Sequence, residues 1–364
     1  MKVALFGGSF DPFHTDHLQI IKLVKRTLPV NEIWIIPTNQ NPFKTRKLSP
    51  IADRLAMINL AVSDIPYVKI NNIELKNNQP STTYETVVEL KASYPDIEFY
   101  FIIGSDQLPK LGEWNNINEL IKIQTFIILQ RLEEVSPKLL QKYQAITIPF
   151  INNNFLAATD LRAGKNLALQ IPVINDYINE HLLYLPERLK SQMDEKRYQH
   201  CLNVGQTAQH LANIYDLNPQ QALIAGTWHD VTKQWSNEKQ EAYLLKYAPE
   251  LVSEPIPTWH GYSAYYYLKH ELLFNDEEIL SAIKWHTVGH QSMTKLEMVT
   301  FIADKISKER QYDGVEYYRE LSTINLEKTF QELIIMQYQC AVAKHGLLAI
   351  GKNIIKTISK WGKS

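Results

Sequence analysis

The sequence predicts an α/β domain built on a parallel sheet, followed by an all-α domain. Three observations lead there. At 364 residues the chain exceeds one typical core, so two domains of ordinary size are the starting expectation. Up to about residue 150, short β-rich runs alternate with amphipathic helical stretches, which argues for a parallel sheet covered on both faces. From about Glu187 onward the strand signal disappears, and apolar residues recur at helical spacing.

The expected strands are Val3 to Phe6, Glu32 to Ile36, Tyr67 to Ile70, Phe99 to Ile103 and Thr125 to Leu129. Tyr184-Leu185-Pro186-Glu187-Arg188 carries a helix breaker where the pattern changes, so the domains are expected to span 1–187 and 188–364. In the second, Val204, Ala208, Leu211 and Ala212 repeat at helical spacing, as do Phe330, Leu333, Ile334 and Gln337. The tail from Leu326 to Ser364 reads as amphipathic helix ending in a basic tip. Apolar residues make up 45% and charged residues 21%, the composition of a folded protein. A net charge of -1 supplies no global basic field, so neither nucleic acid nor an anionic membrane is expected as a partner, and phosphate binding must be local. No apolar stretch approaches a membrane span. Cys201 and Cys340 are too few for a disulfide framework or a thiolate metal site, and a cytoplasmic enzyme is the simplest placement.

Gly7-Gly8-Ser9-Phe10-Asp11-Pro12-Phe13-His14-Thr15-Asp16-His17 follows the first expected strand and enters the first helix. An open α/β sheet places ligands there, beyond the carboxyl ends of its strands. Two glycines let phosphate approach the backbone, and a helix N-terminus offers unpaired N–H groups to an anion. His14 and His17, three apart, share one helix face and could donate together to a phosphate chain. There is no GxxxxGK[ST] run, so this is not a P-loop.

This run resembles the signature of the nucleotidylyltransferase superfamily, whose HxGH element binds the triphosphate of ATP. Over roughly residues 1–185 the resemblance narrows to bacterial nicotinate-nucleotide adenylyltransferase. It is carried by Pro37 with Asn41-Pro42-Phe43-Lys44, Arg54 with Met57, Pro80-Ser81-Thr82-Thr83-Tyr84-Glu85-Thr86, Gly104-Ser105-Asp106 with Trp114, Thr159 with Arg162, and Pro172 to Tyr184. The resemblance implies a Rossmann-like fold and Mg²⁺-assisted attack of the nicotinate mononucleotide phosphate on the α-phosphorus of ATP, giving deamido-NAD and pyrophosphate. His14, His17 and Arg162 are then expected at ATP phosphates and Lys44 at the reacting phosphates, with Arg54 adding positive charge. Gly7, Gly8, Ser9, Phe10, Asp11, Gly104, Asp106 and Thr159 would line the nucleotide pocket, and Thr83, Tyr84 and Trp114 the nicotinate ring. The chain departs from the family pattern at Asp16, where glycine is usual, at Phe43, and at Ala157-Ala158. A carboxylate at Asp16 should repel phosphate unless it turns away.

Metal binding needs neutral imidazoles and carboxylates converging from separate helices, and an adjacent His-Asp pair supplies both. His229-Asp230 is that pair, expected on a helix. His200 precedes it, and His260, His286 and Asp304 follow. The ordered series resembles the HD-domain pattern, and the matches through Arg310, over about residues 190–360, resemble bacterial symmetrical diadenosine tetraphosphate hydrolases. His210, His270, His290 and His345 fit no slot, although His290 lies four residues after His286. Six ligands exceed what one open site needs, so two metals bridged by Asp230 are expected, and iron or manganese suits this nitrogen and oxygen set. Two cations ~3.5–4 Å apart would acidify a water between them and clamp phosphoryl oxygens. Lys233, one helical turn on, is expected to stabilise charge on the phosphoryl group.

The leading expectation is a bifunctional enzyme acting on small nucleotides. Left open are an N-terminal domain that binds nucleotide only to regulate the hydrolase, a nicotinamide in place of the nicotinate substrate, an HD substrate of cyclic-dinucleotide or nucleotide type, and oligomerisation.

Overall fold

The computed structural model describes residues 1–39, 47–76, 81–131, 134–152 and 155–362. By contacts the chain divides into one compact unit of residues 1–161 with 168–177, and a second of 162–167 with residues from 178 onward. The segment 178–187 thus packs with the helical unit, ahead of the change in sequence pattern. Buried Arg188 shows how: its guanidinium donates to Asn179 Oδ1 at 3.0 Å and to the Arg162 carbonyl at 3.3 Å.

The first unit holds six parallel strands, β1 (Lys2–Gly8), β2 (Glu32–Pro37), β3 (Val68–Ile70), β4 (Glu98–Gly104), β5 (Thr125–Gln130) and β6 (Ile146–Pro149). Their order is β3-β2-β1-β4-β5-β6. Val3 to Phe6, Phe99 to Ile103 and Phe126 to Leu129 are buried throughout, because parallel strands covered on both faces read as continuous apolar runs. Strand β6 was not expected: it is a short edge strand in which Ile148 alone is buried, so it has no such run. Between and after the strands come α1 (Thr15–Thr27), α2 (Ile51–Val62), α3 (Thr83–Ser93), α4 (Ile117–Ile123), α5 (Pro137–Lys142), α6 (Ala158–Arg162) and α7 (Pro172–Glu180). The chain runs outward from β1 through β2 to β3, then returns to β4 on the other side of β1. The crevice at the carboxyl ends of β1 and β4 is therefore the topological switch point. Gly7-Gly8 and Gly104 sit at those two ends.

The second unit is helical, with α8 (Leu185–Arg188), α9 (Glu195–Ile214), α10 (Pro219–Trp228), α11 (Asn237–Tyr247), α12 (Trp259–His270), α13 (Glu277–Trp285), α14 (Lys295–Ile306), α15 (Val315–Ile324), α16 (Leu326–His345) and α17 (Lys352–Trp361). Side chains of Asp194, Asn218, Ser236, Asp276, Thr294 and Asn325 accept main-chain N–H groups of the first turns they precede. The tail expected as one helix is two, because Gly346 adopts φ +80°, a conformation open to glycine, and breaks it. Helices α9 and α10 cross at Gly205 and Gly226. A Cβ on Gly226 would lie 2.8 Å from Gly205 Cα and from the Val204 carbonyl, so only glycine permits this approach. None of the described helices is long and apolar enough to cross a membrane.

Candidate active sites

At the switch point the backbone is bare where it must be. A Cβ on Gly7 would meet the Phe101 ring at 3.3 Å, and one on Gly8 the Phe10 ring at 3.0 Å. Phe10 has φ +47° and packs its buried ring beside Phe6, Phe13 and His17, so it holds the turn. His14 caps α1, and its N–H donates to His17 Nδ1 at 3.1 Å. Neutral His17 therefore carries its proton on Nε2. The two imidazoles stack with centroids 3.6 Å apart. Burial, aided by the charge of Arg131, lowers His14 to about 4. Burial, then His14 and Arg131, hold His17 well below the usual histidine range. At neutral pH the pair is uncharged, a hydrogen-bonding cradle at a helix N-terminus.

Asp16 is engaged by its own fold. Its carboxylate is buried and accepts Asn152 Nδ2 at 2.8 Å and the Leu156 N–H at 2.9 Å, tying α1 to the stretch ahead of α6. Burial raises its pKa, although both hydrogen bonds and Arg131 oppose that. Arg54 is placed differently from expectation. Its buried guanidinium donates to the carbonyls of Ser9 at 2.7 Å, Thr38 at 2.9 Å and Ser49 at 3.2 Å, fixing the glycine turn against the end of β2. Buried Asp11 accepts the Ser49 N–H at 3.2 Å. Asp106 is exposed beyond β4, and a Cβ on Gly104 would come 2.3 Å from its Oδ1. Tyr84 and Trp114 pack partly buried on one cluster containing Phe101 and Phe126. Thr83 opens α3, behind the Thr82 cap. On that helix Thr86 donates to Glu74 at 2.8 Å, and burial pushes the Glu74 carboxyl up to about 7 against that bond. Thr159 is exposed on α6, and Arg162 approaches Glu187 at 3.6 Å. Pro42, Phe43, Lys44 and Pro80 lie outside the described residues.

In the helical unit the six expected ligands converge. His200 lies on α9, His260 on α12 and Asp304 on α14, while His286 caps α13. The His229-Asp230 pair sits just past the end of α10 rather than within a helix, which frees both side chains to turn inward. All six are buried. Asp230 faces two ways: Oδ2 lies 3.4 Å from His229 Nε2 and 3.8 Å from His200 Nε2, and Oδ1 lies 3.3 Å from His260 Nε2 and 3.5 Å from His286 Nε2. Asp304 Oδ1 joins the first side, 3.0 Å from His200 Nε2 and 3.7 Å from His229 Nε2. His229 and His286 turn Nδ1 to main-chain carbonyls of Gly226 and Ile283, at 2.7 and 2.6 Å, leaving Nε2 inward.

The charges suit cation binding. Burial opposes ionisation of Asp230, but His229 and hydrogen bonds to it and to His286 outweigh that and hold the carboxyl well below its usual range. Asp304 behaves alike, burial being overcome by Lys305, His200 and His229. Burial keeps His260 and His286 low, hence neutral. His200 Nε2 and His229 Nε2 point at the Asp304 and Asp230 carboxylates, at 3.0 and 3.4 Å, and although burial opposes it Asp230 raises the His229 pKa, so in the metal-free site a proton can stand where a cation would. Lys233 Nζ lies 3.2 Å from His260 Nδ1, and burial lowers its pKa. His290 instead pairs with Glu297 at 2.9 Å, in keeping with its exclusion from the series.

Comparison with known proteins places the chain. Residues 5–164 match the cytidylyltransferase-like family and residues 197–309 the HD domain. The chain is 32% identical over 348 residues to a Mycoplasma genitalium protein named "Probable nicotinate-nucleotide adenylyltransferase/Ap4A hydrolase", covering 93% of this chain and 97% of that one. It belongs to that family. The Mycoplasma pneumoniae protein of the same name is 32% identical over 340 residues, covering 92% of this chain and 96% of that one. Among solved structures, a "predicted HD superfamily hydrolase involved in NAD metabolism" from Clostridium acetobutylicum is similar at 31% identity and a TM-score of 0.45, over 48% of this chain and 92% of that one.

The HD domain of this adenylyltransferase/hydrolase family implies a divalent metal, and its nucleotidyltransferase half uses ATP. Two buried donor groups, His200 with His229 and Asp304, and His229 with Asp230 and His286, fit such a metal. Four residues at this centre had been given no role, although Arg310 marked the extent of the resemblance. Arg197 reaches Asp230 Oδ2 at 2.8 Å, Lys305 reaches Asp304 Oδ2 at 2.6 Å, and Arg310 reaches Asp304 Oδ1 at 2.5 Å. Thr287 places Oγ1 3.1 Å from both His260 Nε2 and His286 Nε2. The signals were local: Arg197 sits one turn before His200, and Lys305 and Thr287 directly follow ligands.

Proposed function

We infer that the protein is bifunctional: the first unit transfers the adenylyl group of ATP to nicotinate mononucleotide, and the second hydrolyses diadenosine tetraphosphate to ADP. The observation that carries this reading is that each unit has its own phosphate-directed site: an uncharged histidine pair at a switch-point helix N-terminus, and a carboxylate shared between two imidazole sets.

In the first reaction an oxygen of the nicotinate mononucleotide phosphate bonds to the α-phosphorus of ATP, the α–β bridge breaks, and pyrophosphate leaves. The substrate is its own nucleophile, so the protein's task is positioning and charge stabilisation. His14 and His17 would donate Nε2–H to ATP phosphates without needing a proton from solution, with Arg162 and Lys44 adding charge. Thr83, Tyr84 and Trp114 would hold the nicotinate ring, and Gly104, Asp106 and Thr159 the nucleotide. Asp16, turned toward Asn152 and Leu156, supports catalysis over a purely regulatory role, because the carboxylate does not stand against phosphate. Mg²⁺ is the expected counter-ion.

In the second reaction, water adds to an inner phosphorus as the central bridge breaks. His200, His229, Asp230 and Asp304 would hold one cation, and His260 and His286 with Asp230 a second, iron or manganese by donor type; when bound they acidify water and withdraw phosphoryl charge. Arg197, Lys233, Lys305 and Arg310 surround the carboxylates with positive charge, which favours a linear polyphosphate over a cyclic dinucleotide with fewer charges.

Purified protein with nicotinate mononucleotide, ATP and Mg²⁺ is expected to release pyrophosphate and form deamido-NAD. ATP binding without product would return the first unit to a regulatory role. After loading with Mn²⁺ or Fe²⁺ the protein is expected to convert diadenosine tetraphosphate to ADP, and intact substrate would refute that half.

A further inference from the structure

Three imidazoles of the metal centre, His200, His229 and His286, are oriented by different means. His229 and His286 are held by carbonyls three residues back on their own helices, so secondary structure alone sets their tautomers. His200 lacks that arrangement. Its Nδ1 meets Glu309 Oε1 at 2.5 Å, across 109 residues of sequence. Glu309 itself is held in place: Asn203 Nδ2, one turn after His200 on α9, donates to Oε2 at 2.7 Å, and Ser307 donates to Oε1 at 2.7 Å. Oxygens that already receive an amide and a hydroxyl act as acceptors, so Nδ1 of His200 is the donor there, and its Nε2 is directed between Asp304 and Asp230, at 3.0 and 3.8 Å, where a cation would replace any proton.

We propose that Glu309 is a positioning residue of the metal centre, fixing the His200 tautomer and ring orientation and raising the basicity of Nε2 toward the cation. A carboxylate behind an imidazole does both, where a main-chain carbonyl mostly orients. The proposal rests on the reading of this unit as metal-dependent. It assigns a role to a residue whose side chain is 35% exposed.

The test uses the full chain stripped of metal and titrated with Mn²⁺ alone, free Mn²⁺ being read by electron paramagnetic resonance. Nitrogen-15 NMR of the His200 ring and thermal unfolding are measured on the same samples. Wild type is expected to bind Mn²⁺ and, metal-free, to carry the His200 proton on Nδ1. Glu309→Ala is expected to weaken Mn²⁺ binding about 10–100-fold and to mix the tautomers. Glu309→Gln, which retains an acceptor and safeguards folding, is expected to lose about tenfold. Glu309→Ala also strands the buried Asn203 amide and should lower the metal-free midpoint, so the comparison rests on Glu309→Gln, whose midpoint should stay near wild type, whereas a merely structural residue would change the midpoint and leave the tautomer and Mn²⁺ affinity alone. Mn²⁺ affinity of both variants within twofold of wild type, or a wild-type His200 without a proton on Nδ1, overturns the proposal. If wild type binds no Mn²⁺, the metal-dependent reading fails, and the tautomer measurement still decides what Glu309 does.

Discussion

Replacing Glu74 with glutamine should stabilise the first unit, by an amount set by pH. Glu74 is half-buried beneath α3, and burial raises its carboxyl from 4.5 to about 7. Because the folded-state value lies above the unfolded one, its contribution is fully present below pH 4.5 and is lost as pH rises through 7. Every tenfold weakening of the acid corresponds to about 1.4 kcal/mol, so the ionised side chain costs at most roughly 3 kcal/mol at pH 8, less whatever water screens. Glutamine removes the charge and keeps an oxygen for the Thr86 hydroxyl, now 2.8 Å from Glu74 Oε1. At pH 4 the variant and wild type should therefore unfold together. At pH 8 the variant's first-unit transition should lie higher, by up to roughly 6–12 °C for a unit of this size. Scanning calorimetry is the assay, since two units need not melt as one. The reasoning fails if the difference does not grow between pH 5 and pH 8, or if Glu74→Gln melts lower at pH 8.

Gly226→Ala puts a methyl group 2.8 Å from Gly205 Cα and should force α9 from α10, costing about 1–3 kcal/mol in the second calorimetric transition and weakening Mn²⁺ binding by displacing His200 from His229. Mn²⁺ at a hundred times its dissociation constant should raise only the second transition, by about 2.7 kcal/mol, with chelator reversing it. Movement of the first transition instead would place the cation elsewhere. Arg310→Met should raise the KM for diadenosine tetraphosphate about tenfold while Mn²⁺ binding persists, the loss being one charge-assisted contact to phosphate. An unchanged KM would leave Arg310 as a partner of Asp304 only.

What could be read from the sequence follows from how local the physics is. Strands β1, β2, β4 and β5 were legible because both faces are buried; of the two edge strands β3 was expected and β6 was not, although neither buries more than one residue. The six residues proposed as ligands in the helical unit could be picked out, and they converge, since histidine and aspartate carry their chemistry in their own side chains. Their orienting partners were not: Glu309 is brought to His200 by the packing of α14 against α9, which no spacing announces. Arg54 looked like a free cation, but its three carbonyl partners lie at the ends of different elements. Asp16 looked like an obstruction because its partners Asn152 and Leu156 are far along the chain. Ligand identity is written residue by residue, whereas orientation comes from the tertiary fold.

If the helical unit holds a cation on each side of Asp230, as proposed, the two-sided placement of that carboxylate links the two positions thermodynamically. Filling either one settles the tilt of the shared carboxylate and consumes part of its charge, so the affinity of the other changes, and by reciprocity each changes the other by the same factor. If that factor favours joint filling, a preparation averaging one cation per chain is a mixture of empty and doubly filled molecules, and its activity scales with average loading. If it opposes joint filling, the same average describes singly filled chains, and activity rises only beyond it. The shape of activity against loading therefore reports the sign of the coupling carried by one side chain.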